Sequence, residues 1–247
     1  MKNNFQLLMK TLCFLLLFLP FLGIAQTKNV ISTNRLFPKV DKVLEFEKAL
    51  ATHSQKYHTG YVKWRVFQIQ SGPDAGGYHV VEGPKTWASE DERGDINVAH
   101  NTDWHKSVTP FLTDKNSSGY SVYVDSLSTI AIGDYSDKVQ ITHIYPKLGC
   151  SYRVATMLKS LKAAWAAEGS TIAVYDVNGS GAPQFAIARR YKQGLKEKED
   201  GFRKSFSDTY EKIHGRGSWG IYMDNVKEYI DEQWSELLFY RADLSSK

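Results

Sequence analysis

Cysteine is nearly absent from this chain. Its 247 residues contain two, Cys13 and Cys150. Cys13 falls in an N-terminal stretch that reads as a cleavable leader, which leaves one thiol and excludes an internal disulfide in the mature chain. The fold must then be held by packing. An excess of one charge is also missing. The chain has 31 Lys+Arg against 27 Asp+Glu. Removing Lys2 and Lys10 with the leader leaves 29 against 27, and a balance near +2 gives no electrostatic footprint for nucleic acid. Beyond residue 25 there is no further long apolar run and no low-complexity tract, so no stable membrane insertion is expected after cleavage. Catalytic signatures are missing as well. There is no H-E-x-x-H and no G-x-x-x-x-G-K-[ST]. The Gly-rich segments at 71–77 and 178–183 read as hairpin turns rather than phosphate loops, because neither precedes a helix.

What is present begins with the leader. Lys2 and Lys10 supply a positive start, Leu12–Leu22 is almost wholly apolar, and Gly23-Ile24-Ala25 puts small residues before a cut at Gln26. That order predicts a secretory signal peptide over 1–25 and an exported protein, periplasmic or extracellular. No cysteine stands at the cut, so a lipoprotein anchor is not expected.

The mature chain states one pattern twice. Val30–Trp87 reads strand, helix, strand, turn, strand, and Val139–Leu195 repeats that order about 108 residues later. Leu36-Phe37-Pro38-Lys39-Val40 answers to Ile144-Tyr145-Pro146-Lys147-Leu148, and Tyr78-His79-Val80-Val81 answers to Phe185-Ala186-Ile187-Ala188. Such self-similarity outranks local motifs as a guide to architecture. In the first helix the apolar positions Val40, Val43, Leu44, Leu50 and Tyr57 predict one buried face. Met223–Trp234 predicts a late helix, and Leu237–Leu244 a closing strand. The predicted fold is α+β: a tandem duplication of a ferredoxin-like βαββαβ unit, over 26–137 and 138–247, whose two antiparallel sheets form one barrel with helices outside. One point stays open at this level. Val139–Tyr145 can close the first copy or open the second, the first copy then having a short fourth strand near Tyr120–Val124.

A strand ending in Pro-Lys, then Gly-Tyr-x-x-Trp-x-Val-x-Gln (Gly60–Gln68), Ser-Gly-Pro-Asp-Ala-Gly-Gly-Tyr (Ser71–Tyr78) and a closing Tyr-Arg-x-Asp-Leu-Ser (Tyr240–Ser245) together resemble a group of secreted bacterial proteins. These are uncharacterised members of the dimeric α/β-barrel superfamily, close in style to NIPSNAP-like domains. The resemblance covers most of residues 28–245. It implies a barrel and allows several functions, since the superfamily includes cofactor-free monooxygenases, haem enzymes and proteins without known activity. Chains of this group often end in Tyr-Arg-Pro-Asp-Leu, and Ala242 stands here in place of that proline.

Strand alternation puts Ile31, Thr33, Arg35 and Phe37 on one face, and Val139, Ile141, His143 and Tyr145 on the matching face of the second copy. Trp64, Val66 and Gln68 share a face, matched by Ile172, Val174 and Asp176. The candidate ligand-binding residues are therefore Arg35, Trp64, Gln68, His143 and Asp176. His143 and Asp176 form the one candidate catalytic pair, since a carboxylate can orient an imidazole for acid–base work. The spacings of His53, His58, His100 and His105 match no metal motif, so no metal site and no cofactor are expected. His79 reads as structural, and Cys150 lacks an evident partner. Trp87, Trp104, Trp165, Trp219 and Trp234 read as filling between helix and sheet. These features predict a non-catalytic exported barrel that binds a small apolar or aromatic molecule or a protein partner, as a monomeric pseudo-dimer or a homodimer. The alternative is a cofactor-free monooxygenase-like or haem-dependent enzyme.

Overall fold

A computed structural model describes residues 28–177 and 179–247; the leader predicted over 1–25 lies outside the described residues. The strands are β1 (Val30–Leu36), β2 (Trp64–Ser71), β3 (Tyr78–Lys85), β4 (Ser117–Tyr123), β5 (Lys138–Pro146), β6 (Ile172–Val177), β7 (Gln184–Arg190) and β8 (Ile230–Tyr240). The helices are α1 (Val43–Tyr57), α2 (Trp87–Arg93), α3 (Val98–Asp103), α4 (Ser151–Ala167), α5 (Phe206–His214) and α6 (Ser218–Tyr229). All strand pairs are antiparallel and close one barrel in the order β1-β3-β2-β8-β5-β7-β6-β4.

That order contains the duplication. The first copy runs β4-β1-β3-β2 and the second β8-β5-β7-β6, the strand order of a split βαβ unit. Each copy offers its second and fourth strands as free edges. Joining them crosswise, β2 to β8 and β6 to β4, removes every open edge. The two seams are unequal: β2 and β8 share four aligned residue pairs, β6 and β4 two. Lys138–Pro146 pairs with β7 and β8, as β1 pairs with β3 and β4. It therefore opens the second copy, and the short β4 closes the first.

Three apolar layers hold the assembly. Inside the barrel, Ile31, Phe67, Ile69, Ile141 and Leu238 pack with neighbours from both copies. Outside the first copy, Phe46 and Leu50 of α1 pack on Val66, Tyr78 and Val80. Outside the second, Leu158, Leu161 and Trp165 of α4 pack on Ile172, Val174 and Phe185. The predicted face of the first helix is corrected here. Val40 is 96% and Leu44 78% exposed, and the buried stripe of α1 is Phe46, Leu50, His53 and Ser54. The late helix is also corrected: it ends at Tyr229, and β8 starts at Ile230. Trp234, Leu238 and Tyr240 then alternate inward with period two, so Trp234 belongs to the barrel interior rather than to the helix layer.

Two sequence motifs have structural duties. Gly72 is at φ +96°, and a Cβ there would lie 2.9 Å from the Ser235 carbonyl, so the β2–β3 hairpin can pass β8 only with glycine. In the closing motif, Arg241 pairs with Glu47 and Asp243, Leu244 is buried on the α1 layer, and Ser245 Oγ accepts from the Val66 amide. The C-terminus is thereby fastened across β2.

Candidate ligand-binding cavity

The barrel interior is incompletely filled. Because small residues such as Ala186, Ala188 and Gly119 stand at inward positions, a cavity of about 460 Å³ remains, within the range of small-molecule sites. Its walls are apolar, from Ile31, Phe67, Val81, Ile141, Tyr175 and Leu238. One end is stoppered. Arg190, 3% exposed, donates to the carbonyls of Ala131, Ile132 and Asp134 and to Tyr175 Oη, tying the 130–135 segment across the barrel. Burial of the Tyr175 phenol pushes its pKa up to about 12, so it stays protonated there. At the other end Ser117, Ser118, Gly181 and Ala182 are exposed and form a rim.

Below that rim lies a polar cluster. Arg35 forks onto Glu236, with Nη1 donating to Oε2 at 2.7 Å and Nη2 to Oε1. His143 Nε2 donates to the same Oε1 at 2.9 Å, and its Nδ1 meets the Gln184 amide at 2.8 Å. The His143 ring stacks on Trp234, with centroids 4.0 Å apart. Glu236 is 1% exposed. Burial alone would raise its carboxyl, but hydrogen bonds from Arg35 and His143 outweigh that and bring it down to about 2. Asp74 stands 3.6 Å from Arg35 at the rim. The carboxylate and guanidinium thus satisfy one another, and the cluster is not an anion trap.

His79 differs from these groups. It stands opposite Arg35 in the β1–β3 ladder, is 7% exposed and lines the cavity, and its buried Nδ1 has no hydrogen-bond partner among the described residues. Burial, with the Arg35 charge acting the same way, pushes its pKa down to about 3. It is therefore a neutral imidazole with an unpaired polar atom beside an apolar space. Leaving such an atom unmade costs about 1–3 kcal/mol.

Of the sequence candidates, the structure brings Arg35 and His143 into this cavity, together with the other three residues of the β5 face, Val139, Ile141 and Tyr145. It does not bring Trp64, Gln68 or Asp176. Trp64 and Val66 pack under α1, so the face they share with Gln68 looks outward, while Phe67 and Ile69 look in. Asp176 sits between the inward-facing Tyr175 and Val177, and β7 separates β6 from β5. The pairing of His143 with Asp176 is therefore corrected: its carboxylate partner is Glu236. Glu236 and His79 are the residues that sequence reasoning missed. Trp234, Glu236 and Leu238 alternate inward, which was the available signal.

A second polar cluster lies on the outer face of the first copy. His53 of α1, His58 just beyond it and His100 of α3 bring one ring nitrogen each within 4.8 Å of one another. Beside them Glu82, 1% exposed, accepts from Trp64 Nε1, Lys85 and Arg93. No sequence spacing announces this group, since its members come from separate elements.

No protein-family model matches the chain, and no curated protein matches its sequence. Solved structures do match. A protein from Fusobacterium nucleatum proposed to be a monooxygenase is 15% identical over 85% of this chain and 91% of its own, with a TM-score of 0.55. An anthrone oxidase-like protein is 13% identical over 87% and 92%, with a TM-score of 0.54. A proposed chlorite dismutase is 11% identical over 87% and 96%, with a TM-score of 0.50. These neighbours belong to the dimeric α/β-barrel superfamily. The chain has their fold. At such identities the likeness extends to architecture and not to a reaction.

Proposed function

We propose that this protein is an exported barrel that binds one small, largely aromatic or apolar molecule in its interior, without converting it. The observation that carries this reading is the cavity itself: apolar walls, a mouth at one end, and the His79 imidazole on its wall. The matching ligand is uncharged and carries a hydroxyl or carbonyl that meets His79, because the Arg35–Glu236 pair inside is already internally satisfied. Export rests on the leader-like order of residues 1–25, and a mature N-terminus at Gln26 is the check. A barrel closed within one chain supports a monomeric pseudo-dimer, with a homodimer as the alternative. The probe is 2-naphthol. It should quench Trp234 fluorescence and raise the melting temperature, and His79→Ala should weaken it about tenfold, the worth of one hydrogen bond. No quenching and no thermal shift would end this reading.

One observation favours a second reading. A neutral imidazole on the wall of an apolar pocket takes a proton once negative charge develops on a bound substrate and raises its pKa from about 3, and two of the neighbours carry monooxygenase or oxidase names. In a cofactor-free oxygenase, His79 would take the proton from an acidic phenol or anthrone. Oxygen uptake with anthrone, lost in His79→Ala, would favour it over binding alone. The haem variant meets an obstacle at His143, whose two ring nitrogens are both engaged. A Soret shift on haem addition would revive it.

A further inference from the structure

The outer histidine cluster is independent of the cavity, since it lies on the opposite face of the first copy's sheet. Each of its rings has Nδ1 committed to an acceptor. His53 Nδ1 donates to Asp103 Oδ2 at 2.7 Å. His58 Nδ1 donates to the Val62 carbonyl at 3.2 Å, with Glu82 Oε2 at 3.3 Å. His100 Nδ1 donates to Asn101 Oδ1 at 3.0 Å. A neutral imidazole with a protonated Nδ1 carries its lone pair on Nε2. The Nε2 atoms of His58 and His100 face one another at 3.3 Å, and His53 Nε2 is buried with no hydrogen-bond partner among the described residues. Two lone pairs facing at that distance repel unless a proton or a cation lies between them. A tetrahedral site with zinc–nitrogen bonds of about 2.0–2.1 Å has its nitrogens about 3.3 Å apart.

The supporting hydrogen bonds have the pattern that metal-bound histidines use, in which the second ring nitrogen donates to a carboxylate or carbonyl and fixes the tautomer. The second copy shows that the fold does not demand these groups. By the ladder registers and the 108-residue repeat, Leu161 stands where His53 does and Ala166 where His58 does. Leu161 is an ordinary member of an apolar layer. Two fully buried histidines, one of them with a nitrogen unpaired among the described residues, are a poor way to fill that space.

We propose that His53, His58 and His100 bind one divalent ion of the zinc class through their Nε2 atoms, with the fourth position left to water on the half-buried His100 side. Three histidines with an open position are the donor set of Lewis-acid zinc sites.

The test uses the full-length mature chain, stripped with chelator and dialysed. Titration with Zn²⁺ against a chromophoric chelator should give one ion per chain, and Co²⁺ should give the visible bands of a four-coordinate site. His100→Ala should weaken Zn²⁺ binding at least 100-fold, and Asp103→Asn about 10-fold or more. The exposed His105→Ala should bind as the parent does. Less than one Zn²⁺ per chain, or equal affinity in parent and His100→Ala, would overturn the assignment. Should His100→Ala fail to melt cooperatively, the Co²⁺ spectrum of the parent decides, and an octahedral, water-like spectrum refutes the site.

Discussion

The two halves of this barrel have the same strand order and different interiors. In the second copy, the layer between sheet and helices is filled by Val154, Leu158, Leu161, Trp165 and Ile187. In the first, the corresponding layer holds His53, His58, Glu82 and Lys85, all buried, beside Phe46 and Leu50. Inside the barrel the contrast recurs along the β1/β5 and β3/β7 equivalences: His79 of the first copy stands where Ala186 stands in the second. The second copy shows what the topology requires. Whatever polar groups the first copy buries beyond that are surplus to folding, and such groups survive burial only when paired or used.

The largest effect should come from the charged cluster inside the barrel, to which both copies contribute. Glu236→Leu leaves Arg35 buried without its carboxylate, and removing one partner of a buried pair costs about 3–5 kcal/mol. Urea unfolding reads it directly, and the double variant Arg35→Met/Glu236→Leu should recover most of the loss. Next come Leu50→Ala and Leu158→Ala, equivalent positions at 0% and 1% exposure. Each should lose about 2–5 kcal/mol. A marked inequality would mean that one copy's layer is looser than its contacts suggest.

A smaller effect concerns pH. The pKa of His79 falls to about 3 on folding, against about 6.5 unfolded. A depressed histidine contributes stability that is complete above pH 6.5 and declines as pH falls toward 3. Between pH 7 and 5 its share is about 2 kcal/mol. The groups facing it are Arg35, Glu236 and His143; Glu236, lowered to about 2, adds its own loss only below about pH 4.5. His58, lowered to about 4 chiefly by burial, acts in the same direction from the outer layer. His79→Ala, which installs the second copy's residue, should flatten the pH 7–5 slope of melting temperature by its share. The smallest effect has the opposite sign. His53→Leu, again the second copy's residue, removes an unpaired buried nitrogen and should leave the metal-free protein unchanged or up to about 1 kcal/mol more stable, while the more exposed Asp103 turns to water.

Sequence patterns carried the fold because duplication and period-two alternation are properties of the chain alone. Ile31, Thr33 and Arg35, like Val139, Ile141 and His143, share the inward face in the structure as alternation predicts. Which face of a neighbouring strand looks inward depends on register across the sheet, and this put Asp176 and Gln68 on the wrong side. Glu236 is hidden in the sequence because Tyr229, Ile230 and Trp234 fit the helical face of Val226, which puts the expected strand start at Leu237, seven residues after Ile230 where β8 begins. His53 lay on the buried stripe of α1, but Val40, Val43 and Leu44 suggested a rotated face, and only packing decides between them. The His53–His58–His100 cluster needs α1 and α3 brought together, which no spacing encodes.

The most direct test is a crystal structure of the mature chain grown with 2-naphthol. The expected result is density for one ring system between Phe67 and Ile141, its hydroxyl within hydrogen-bond distance of the His79 imidazole. A barrel interior closed by its own side chains, or the probe bound only outside it, would contradict the account.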